Sequence, residues 1–231
     1  MIFSKESAVQ QVNHLLHQYK ELSIESMLDS EIVLSGQLLV DRVALDFRLY
    51  KNYQIKIVIP VLSDVLPYVM DSGNHIDESY PHRYADGKLC LETDAAIRIH
   101  FLGEFDLEDW MHNFVELYYF SYEYFQRYGI FPFGERAHGV EGVLQTYGDF
   151  FDESDYVKIF RIMEFISYGH YRGHLPCPCG SGKKMRLCHG VSIKRFFENE
   201  KSKEIVQNDY KLVREVLNTY YEQFKNTRGS K

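Results

Sequence analysis

The stretch EIVLSGQLLVDRVALDFRLYKNYQIKIVIP, residues 31–60, decides the fold class of this 231-residue chain. It contains three short runs rich in β-branched and aromatic residues, EIVLSGQLLV, VALDFRLY and YQIKIVIP. Apolar and polar side chains alternate most clearly from Tyr53 to Ile57, as in a strand with one buried face. Pro60 closes the third run, where a residue without an amide donor is tolerated. The stretch predicts three strands of an antiparallel meander that ends at Pro60.

Helical periodicity flanks this predicted sheet on both sides. Residues 4–21 carry apolar side chains at helical spacing, and Ser4 or Ser7 supplies an N-cap. Residues 61–89 are expected to be irregular, because proline and glycine interrupt them repeatedly. Further helices are predicted at 107–129, near 139–151, at 153–169, and in the tail from Ser192 onward. A helix, a meander, a loop and then helices make an α+β arrangement.

The composition is that of an ordinary soluble globular protein, with 45% hydrophobic and 26% charged residues. No apolar run approaches the roughly 20 residues of a membrane span. Three clustered cysteines and a separate fourth suit metal binding and one free thiol better than a disulfide framework, which indicates a reducing, cytoplasmic compartment. Residues 171–231 hold 13 of the 26 basic and 6 of the 33 acidic residues, which leaves 13 basic and 27 acidic elsewhere. The basic tail either faces solvent and the acidic body or contacts nucleic acid, and the first alternative is favoured.

Three of the four cysteines lie in the segment CPCGSGKKMRLCH, residues 177–189. Cys177 and Cys179 form one close pair, and Cys188 and His189 form a second pair after a glycine-rich loop. Two such pairs provide four ligands that can surround one Zn²⁺ tetrahedrally, as in structural zinc sites. The segment therefore predicts a metal site, and thiols without metal in a basic loop are the weaker alternative.

This segment resembles the SEC-C zinc-binding motif of bacterial proteins, whose pattern C-x-C-G-S-G-x-K-x-x-x-C-H it matches ligand for ligand. The resemblance covers about 15 residues. It implies that Cys177, Cys179, Cys188 and His189 bind a structural Zn²⁺ and leave no open coordination position for catalysis.

The fourth cysteine, Cys90, follows an Asp-Gly turn in the segment YPHRYADGKLCL, residues 80–91. Taken alone, this thiol is either a half-buried small hydrophobe where a loop meets a helix or a nucleophile. Apart from His82, no obvious catalytic base stands nearby in the sequence.

The segment around Cys90 resembles the active-site segment of ubiquitin-conjugating enzymes, and the expected order of elements over about residues 1–130 is similar too. Cys90 stands at the position of the family's nucleophile. Tyr80 replaces the histidine of the family's His-Pro-Asn tripeptide, and His82 replaces the asparagine that stabilises the oxyanion. An imidazole can donate a hydrogen bond to an oxyanion or accept a proton from an amine.

The resemblance implies a domain like a ubiquitin-conjugating enzyme at residues 1–150, a helical connector at 151–175, and a zinc knuckle with a helical tail at 176–231. It implies that Cys90 takes a ubiquitin-like protein as a thioester from an adenylating activating enzyme and transfers it to an amine, usually a target protein's lysine. A bacterial conjugation or antiphage system is the expected setting. The alternative is an inactive, zinc-stapled adaptor that binds a ubiquitin-like or defence-system partner.

Overall fold

The computed structural model describes residues 2–228, with side chains up to residue 220. Met1 and residues 229–231, the outer ends of the predicted ranges 1–150 and 176–231, lie outside the described residues. The chain divides into two compact units. The first consists of Met1–Glu92 and Glu104–Glu135, and the second of Thr93–Gly103 and Arg136–Lys231. These limits differ from the sequence-based ones, because the first unit ends at 135 and a short internal segment belongs to the second.

The first unit contains an antiparallel sheet of four strands in the order β1-β2-β3-β4. They are β1 (Leu22–Met27), β2 (Glu31–Ala44), β3 (Phe47–Pro60) and β4 (Tyr68–Asp71). The predicted meander over residues 31–60 and its end at Pro60 are confirmed, but the division into three strands was wrong. Leu45 and Asp46 have positive φ angles of 50° and 58°, so the run VALDFRLY holds a two-residue hairpin turn between two long strands.

Both outer strands were missed by the sequence analysis. β1 reads LSIESM and carries mostly exposed side chains, so its sequence shows little apolar alternation. β4 has four residues and lies within the segment predicted to be irregular. Both are defined by pairing with a longer neighbour, β1 with β2 and β4 with β3. Such pairing is a long-range property that local composition does not reveal.

Helices cover one face of this sheet. α1 (Lys5–Gln18) starts at Ser4, whose hydroxyl accepts a hydrogen bond from the Ser7 amide, as an N-cap does. The predicted helix at 107–129 is confirmed as α3 (Leu107–Trp110), a π-helical turn (Met111–Val115) and α4 (Glu116–Tyr128). Tyr53 of β3 stacks on Tyr119 of α4 with ring centroids 4.1 Å apart, and both rings are fully buried.

The second unit is helical. It contains α2 (Asp94–His100), α5 (Gly139–Phe151), α6 (Tyr156–Tyr168), a 3₁₀ turn (Met185–Leu187), α7 (Gly190–Arg195) and α8 (Glu200–Arg228). The helices predicted near 139–151 and at 153–169 are confirmed as α5 and α6, and the predicted tail corresponds to α7 and α8. Its core is one apolar cluster that includes Tyr147, Met163 and Phe196.

Among residues 2–228, no helix combines the length and the apolar character that crossing a membrane requires.

Candidate metal centre and cysteine hairpin

The cysteine-rich segment folds into a compact knuckle in the second unit. A short bridge pairs Pro176 with Lys184, and the Cys177 amide donates a 2.8 Å hydrogen bond to the Lys183 carbonyl. The loop between them turns at Gly180 and Gly182, whose φ angles of 82° and 74° suit residues without a Cβ atom. The 3₁₀ turn that follows delivers Cys188 and the adjacent His189 back to the first pair.

The four predicted ligands do converge in the structure. The sulfur atoms of Cys177, Cys179 and Cys188 and a ring nitrogen of His189 all lie within 4.8 Å of one another. The sulfur of Cys179 is 3.7 Å from that of Cys188. The Nδ1 atom of His189 is 3.5 Å from the Cys177 sulfur and 3.4 Å from the Cys188 sulfur.

These separations fit a tetrahedral metal site. With Zn–S bonds of about 2.3 Å and Zn–N bonds of about 2.0–2.1 Å, two ligand sulfurs stand about 3.8 Å apart and a sulfur and a nitrogen about 3.6 Å apart. The Cys177, Cys179, Cys188 and His189 cluster can therefore hold a metal ion.

The cluster is integrated into the core of its unit. Cys177 and Cys179 are 4% and 2% exposed and belong to the same apolar cluster as Met185 and Phe196. Burial raises the pKa of the Cys177 thiol to about 11, because the thiolate loses its hydration. A metal ion bound there would remove that cost by binding the thiolate directly.

Cys90 lies at the end of a short hairpin in the first unit. The Cys90 amide donates to the His82 carbonyl over 2.8 Å, and the Tyr84 amide donates to the Lys88 carbonyl over the same distance. Arg83 and Leu89 pair between these two hydrogen bonds. The Asp-Gly turn expected from the sequence is the tip of this hairpin, and Gly87 has a φ of 85° there.

The hairpin register sets which side chains share a face. Residues directly opposite each other on antiparallel segments project to the same side, and so do residues two apart on one segment. His82, Tyr84 and Cys90 therefore share one side, and Leu89 projects to the other, where it is buried. The Leu89 amide also donates to the Val69 carbonyl, which ties the hairpin to β4.

The sulfur of Cys90 has a hydroxyl beside it. The Tyr84 hydroxyl lies 3.4 Å from the Cys90 sulfur, within hydrogen-bonding distance for a sulfur acceptor. Cys90 itself is half-buried. The half-buried thiol therefore has an O–H donor next to it.

His82 is anchored through its backbone and its ring. Its carbonyl accepts a second hydrogen bond, of 3.1 Å, from the Tyr118 hydroxyl. Its Nε2 atom is 3.7 Å from a carboxylate oxygen of Glu135, and its ring packs edge-on against Phe131. The structure thus brings the two predicted catalytic residues together and adds a carboxylate next to the imidazole.

Tyr80, which stands where the resembling family has a histidine, is a core residue. It is buried among aromatic rings, including those of Tyr122 and Phe125. Burial raises the pKa of its hydroxyl well above the usual range, and the Glu135 carboxylate adds to the effect. Tyr80 therefore supports the hairpin from inside and stays neutral.

Sequence reasoning missed Tyr84 and Glu135. Tyr84 lies six residues before Cys90, and only the hairpin register shows that their side chains share a face. Glu135 lies about 50 residues after His82, at the end of the first unit, and no local pattern connects them. The sequence offered one signal for Tyr84: it lies an even number of residues from Cys90, on the other side of the Asp-Gly turn, as two residues on one face of a hairpin can do.

A scan against protein-family models found no family that matches this chain. Searches of curated proteins and of solved structures found no matching protein either.

Proposed function

We propose that the first unit is an acyl carrier of the ubiquitin-conjugating type, which holds a ubiquitin-like protein as a thioester on Cys90. The observation that carries the proposal is the hairpin that presents the half-buried Cys90 thiol opposite His82. A structural thiol would not need an O–H donor and an imidazole on the same face of its hairpin.

The arrangement of elements in the first unit supports this proposal. α1 precedes an antiparallel meander, and a long connection after β4 carries the cysteine before the next helix of the unit. This is the order that the resemblance to ubiquitin-conjugating enzymes implies.

The first chemical step is an exchange of thioesters. The Cys90 thiolate attacks the carbonyl carbon of a thioester that an activating enzyme presents, and a new carbon–sulfur bond forms as the old one breaks. The activating enzyme's sulfur leaves as a thiolate. In the second step an amine attacks the Cys90 thioester, and His82, with Glu135 next to its ring, donates a hydrogen bond to the oxyanion or takes a proton from the amine.

The test is adduct formation with an adenylating activating enzyme, ATP and a ubiquitin-like protein encoded beside this chain. We expect a thiol-sensitive adduct on a non-reducing gel. Cys90→Ser should give an adduct that survives thiol but not hydroxide, because an oxyester replaces the thioester, and Cys90→Ala should give none. A complete absence of adduct with the wild-type chain would disprove the carrier role.

A catalytically inactive adaptor is the competing function. It would bind a ubiquitin-like or defence-system partner through the same unit, and Cys90 would serve as a half-buried packing residue. Full cellular activity of a Cys90→Ala variant would favour this adaptor over the enzyme.

We further propose that the metal of the second unit is Zn²⁺ and that its role is structural. Three thiolates and one imidazole suit this ion, and four protein ligands complete a tetrahedron. Elemental analysis should find one zinc per chain in protein purified without chelator. A stoichiometry near zero, or another metal in its place, would contradict the assignment.

A further inference from the structure

The Tyr84 hydroxyl is a polar group that lies at the Cys90 sulfur. The two atoms are 3.4 Å apart. Tyr84 is 56% exposed, so its side chain is not part of the core. Packing of the unit therefore gives little reason for a tyrosine at this position, whereas a reaction at the sulfur does.

The backbone keeps Tyr84 in place. Its amide donates to the Lys88 carbonyl over 2.8 Å, and its carbonyl accepts from the Gly87 amide over 2.9 Å. Two residues on the far side of the tight turn, Gly87 and Lys88, are thus hydrogen-bonded to Tyr84. The side chain needs only to keep its rotamer to remain over the sulfur, so the hydroxyl is positioned at a small cost in conformational entropy.

The imidazole of His82 contacts groups from another segment of the first unit as well as Tyr80. Its Nε2 atom lies 3.7 Å from the Glu135 carboxylate, and Phe131 and Tyr80 pack against the ring. With its ring next to Glu135, His82 is suited to take a proton from the attacking amine. A hydroxyl next to the sulfur can donate a hydrogen bond to the sulfur and to the carbonyl oxygen of the thioester that the sulfur carries.

We propose that Tyr84 is a catalytic residue of the Cys90 reaction, a role that rests on the proposed carrier function. Its O–H donates first to the Cys90 thiolate and then to the oxyanion that forms on the neighbouring carbonyl. Hydrogen bonds to charged atoms are about twice as strong as neutral ones, so the donor stabilises the ionised states over the neutral ones.

The transfer step balances with this role. The amine nitrogen forms a bond to the thioester carbon while the C=O electron pair moves to the oxygen, which accepts the Tyr84 hydrogen bond. The nitrogen releases its proton to the His82 ring, which lies next to Glu135, or to solvent water. The C=O bond then re-forms, the carbon–sulfur bond breaks, and the sulfur leaves as a thiolate that again accepts from Tyr84. The hydroxyl keeps its own proton throughout.

The first test needs no partner protein. The rate at which iodoacetamide alkylates Cys90 is measured across pH by mass spectrometry of the Cys90 peptide, which separates it from the metal-site cysteines. Tyr84→Phe keeps the ring and removes only the hydroxyl. Tyr50→Phe is the matched control, because Tyr50 is 65% exposed on β3 of the same unit.

We expect the midpoint of the alkylation profile to rise by about one pH unit in Tyr84→Phe, because the thiolate loses its donor. Below the midpoint the rate should fall about threefold, since a less acidic thiol is also a better nucleophile. Tyr50→Phe should follow the wild type. Coinciding profiles for wild type and Tyr84→Phe would overturn the thiolate part of the proposal, whatever the fate of the carrier function.

The second test uses the loaded thioester. In a single turnover with free lysine, Tyr84→Phe should discharge about tenfold more slowly than wild type and Tyr50→Phe. This decrease is smaller than the roughly 10²–10³-fold decrease in rate that follows removal of a buried oxyanion donor, because Tyr84 is exposed to water. An unchanged discharge rate would overturn the oxyanion role. Failure of wild type to load at all would instead reject the carrier function, and the alkylation profile would still report on Tyr84.

Discussion

The Cys90 amide donates a 2.8 Å hydrogen bond to the His82 carbonyl, so the two residues oppose each other directly across a short hairpin. This single backbone contact determines the geometry of the candidate active site. It sets the register that puts the His82 and Cys90 side chains on one face and turns Leu89 into the core. The chemistry proposed for Cys90 therefore depends on the turn that closes the hairpin.

Gly87 tests this dependence. Its φ of 85° is unfavourable for alanine, although a Cβ atom there would meet only the Met70 side chain, at 3.6 Å. Gly87→Ala should cost about 1 kcal/mol and lower the alkylation rate of Cys90 below the midpoint of its pH profile, because a loosened hairpin no longer holds the Tyr84 hydroxyl at the sulfur. Gly87→Asn should retain most of the stability, because asparagine tolerates positive φ. Urea unfolding and Cys90 alkylation check both variants. Equal losses of stability in Gly87→Ala and Gly87→Asn would show that the space for a side chain, rather than the positive φ angle, causes the destabilisation.

Metal removal should destabilise the second unit. Stripping the ion leaves the nearly buried thiols of Cys177 and Cys179 without their partner, in a core that they share with Met185. We expect a chelator, or Cys179→Ala, to lower the thermal midpoint of this unit, and Cys90→Ala to leave the metal content unchanged. Calorimetry and elemental analysis measure both, and a chelated protein that melts like the untreated one would argue against a structural ion.

The same site should lose its metal as pH falls. Metal binding requires thiolates, and without metal the pKa of Cys177 is about 11 because the thiol is buried. Binding therefore releases protons, so protons compete with the metal and affinity falls with decreasing pH. Competition with a zinc dye between pH 8 and 6 should show weaker binding at the lower pH. A pH-independent affinity would mean that the thiols are not the ligands.

Asp209 should make the second unit less stable at neutral pH than at mildly acid pH. Burial raises the pKa of this carboxyl to about 6, and the charge of Asp94 adds to the increase. The hydrogen bond from Tyr147 and the nearby charge of Arg98 lower the pKa and offset part of this increase. Since the folded pKa exceeds the unfolded one, stability falls as pH rises from about 4 to 6. The total is at most about 3 kcal/mol, from roughly 1.4 kcal/mol per pKa unit.

Asp209→Asn keeps an acceptor for the 2.8 Å hydrogen bond from the Tyr147 hydroxyl and removes the buried charge. It should be more stable than wild type at pH 7 and should lose the part of the pH dependence that Asp209 causes. Asp152→Asn is the control, because that side chain is exposed. Urea titrations at pH 4.5 and 7 measure the difference, and parallel curves for wild type and Asp209→Asn would reject the assignment.

Gly142 in α5 should tolerate no side chain. A Cβ atom would lie 1.9 Å from the Ala137 carbonyl oxygen, which belongs to the backbone and has little freedom to move. Gly142→Ala should therefore destabilise the second unit by about 3 kcal/mol, the upper end of overpacking. Gly103→Ala, with open space around its Cβ position, should change stability by less than about 0.5 kcal/mol. Thermal unfolding compares the two variants directly. Similar melting temperatures would mean that the backbone at Ala137 moves to make room for the added methyl group.

The sequence by itself determined the features that rest on local periodicity and spacing. Alternation from Tyr53 to Ile57 predicted a strand with one buried face, and those alternate side chains are buried in the structure. Helical spacing predicted the helix that ends before Gly129. The close pairs in 177–189 predicted four convergent ligands, because four thiol and imidazole side chains within 13 residues, joined by a glycine-rich loop, suit one metal ion.

Only the tertiary structure decided the features that join distant residues. It assigned residues 93–103 to the second unit, added β1 and β4 to the sheet, and placed Glu135 beside His82. It also set the register that lays the Tyr84 hydroxyl at the Cys90 sulfur. The physical reason is that local patterns specify how each segment folds and which face it buries, whereas pairing between segments depends on packing that one segment does not encode.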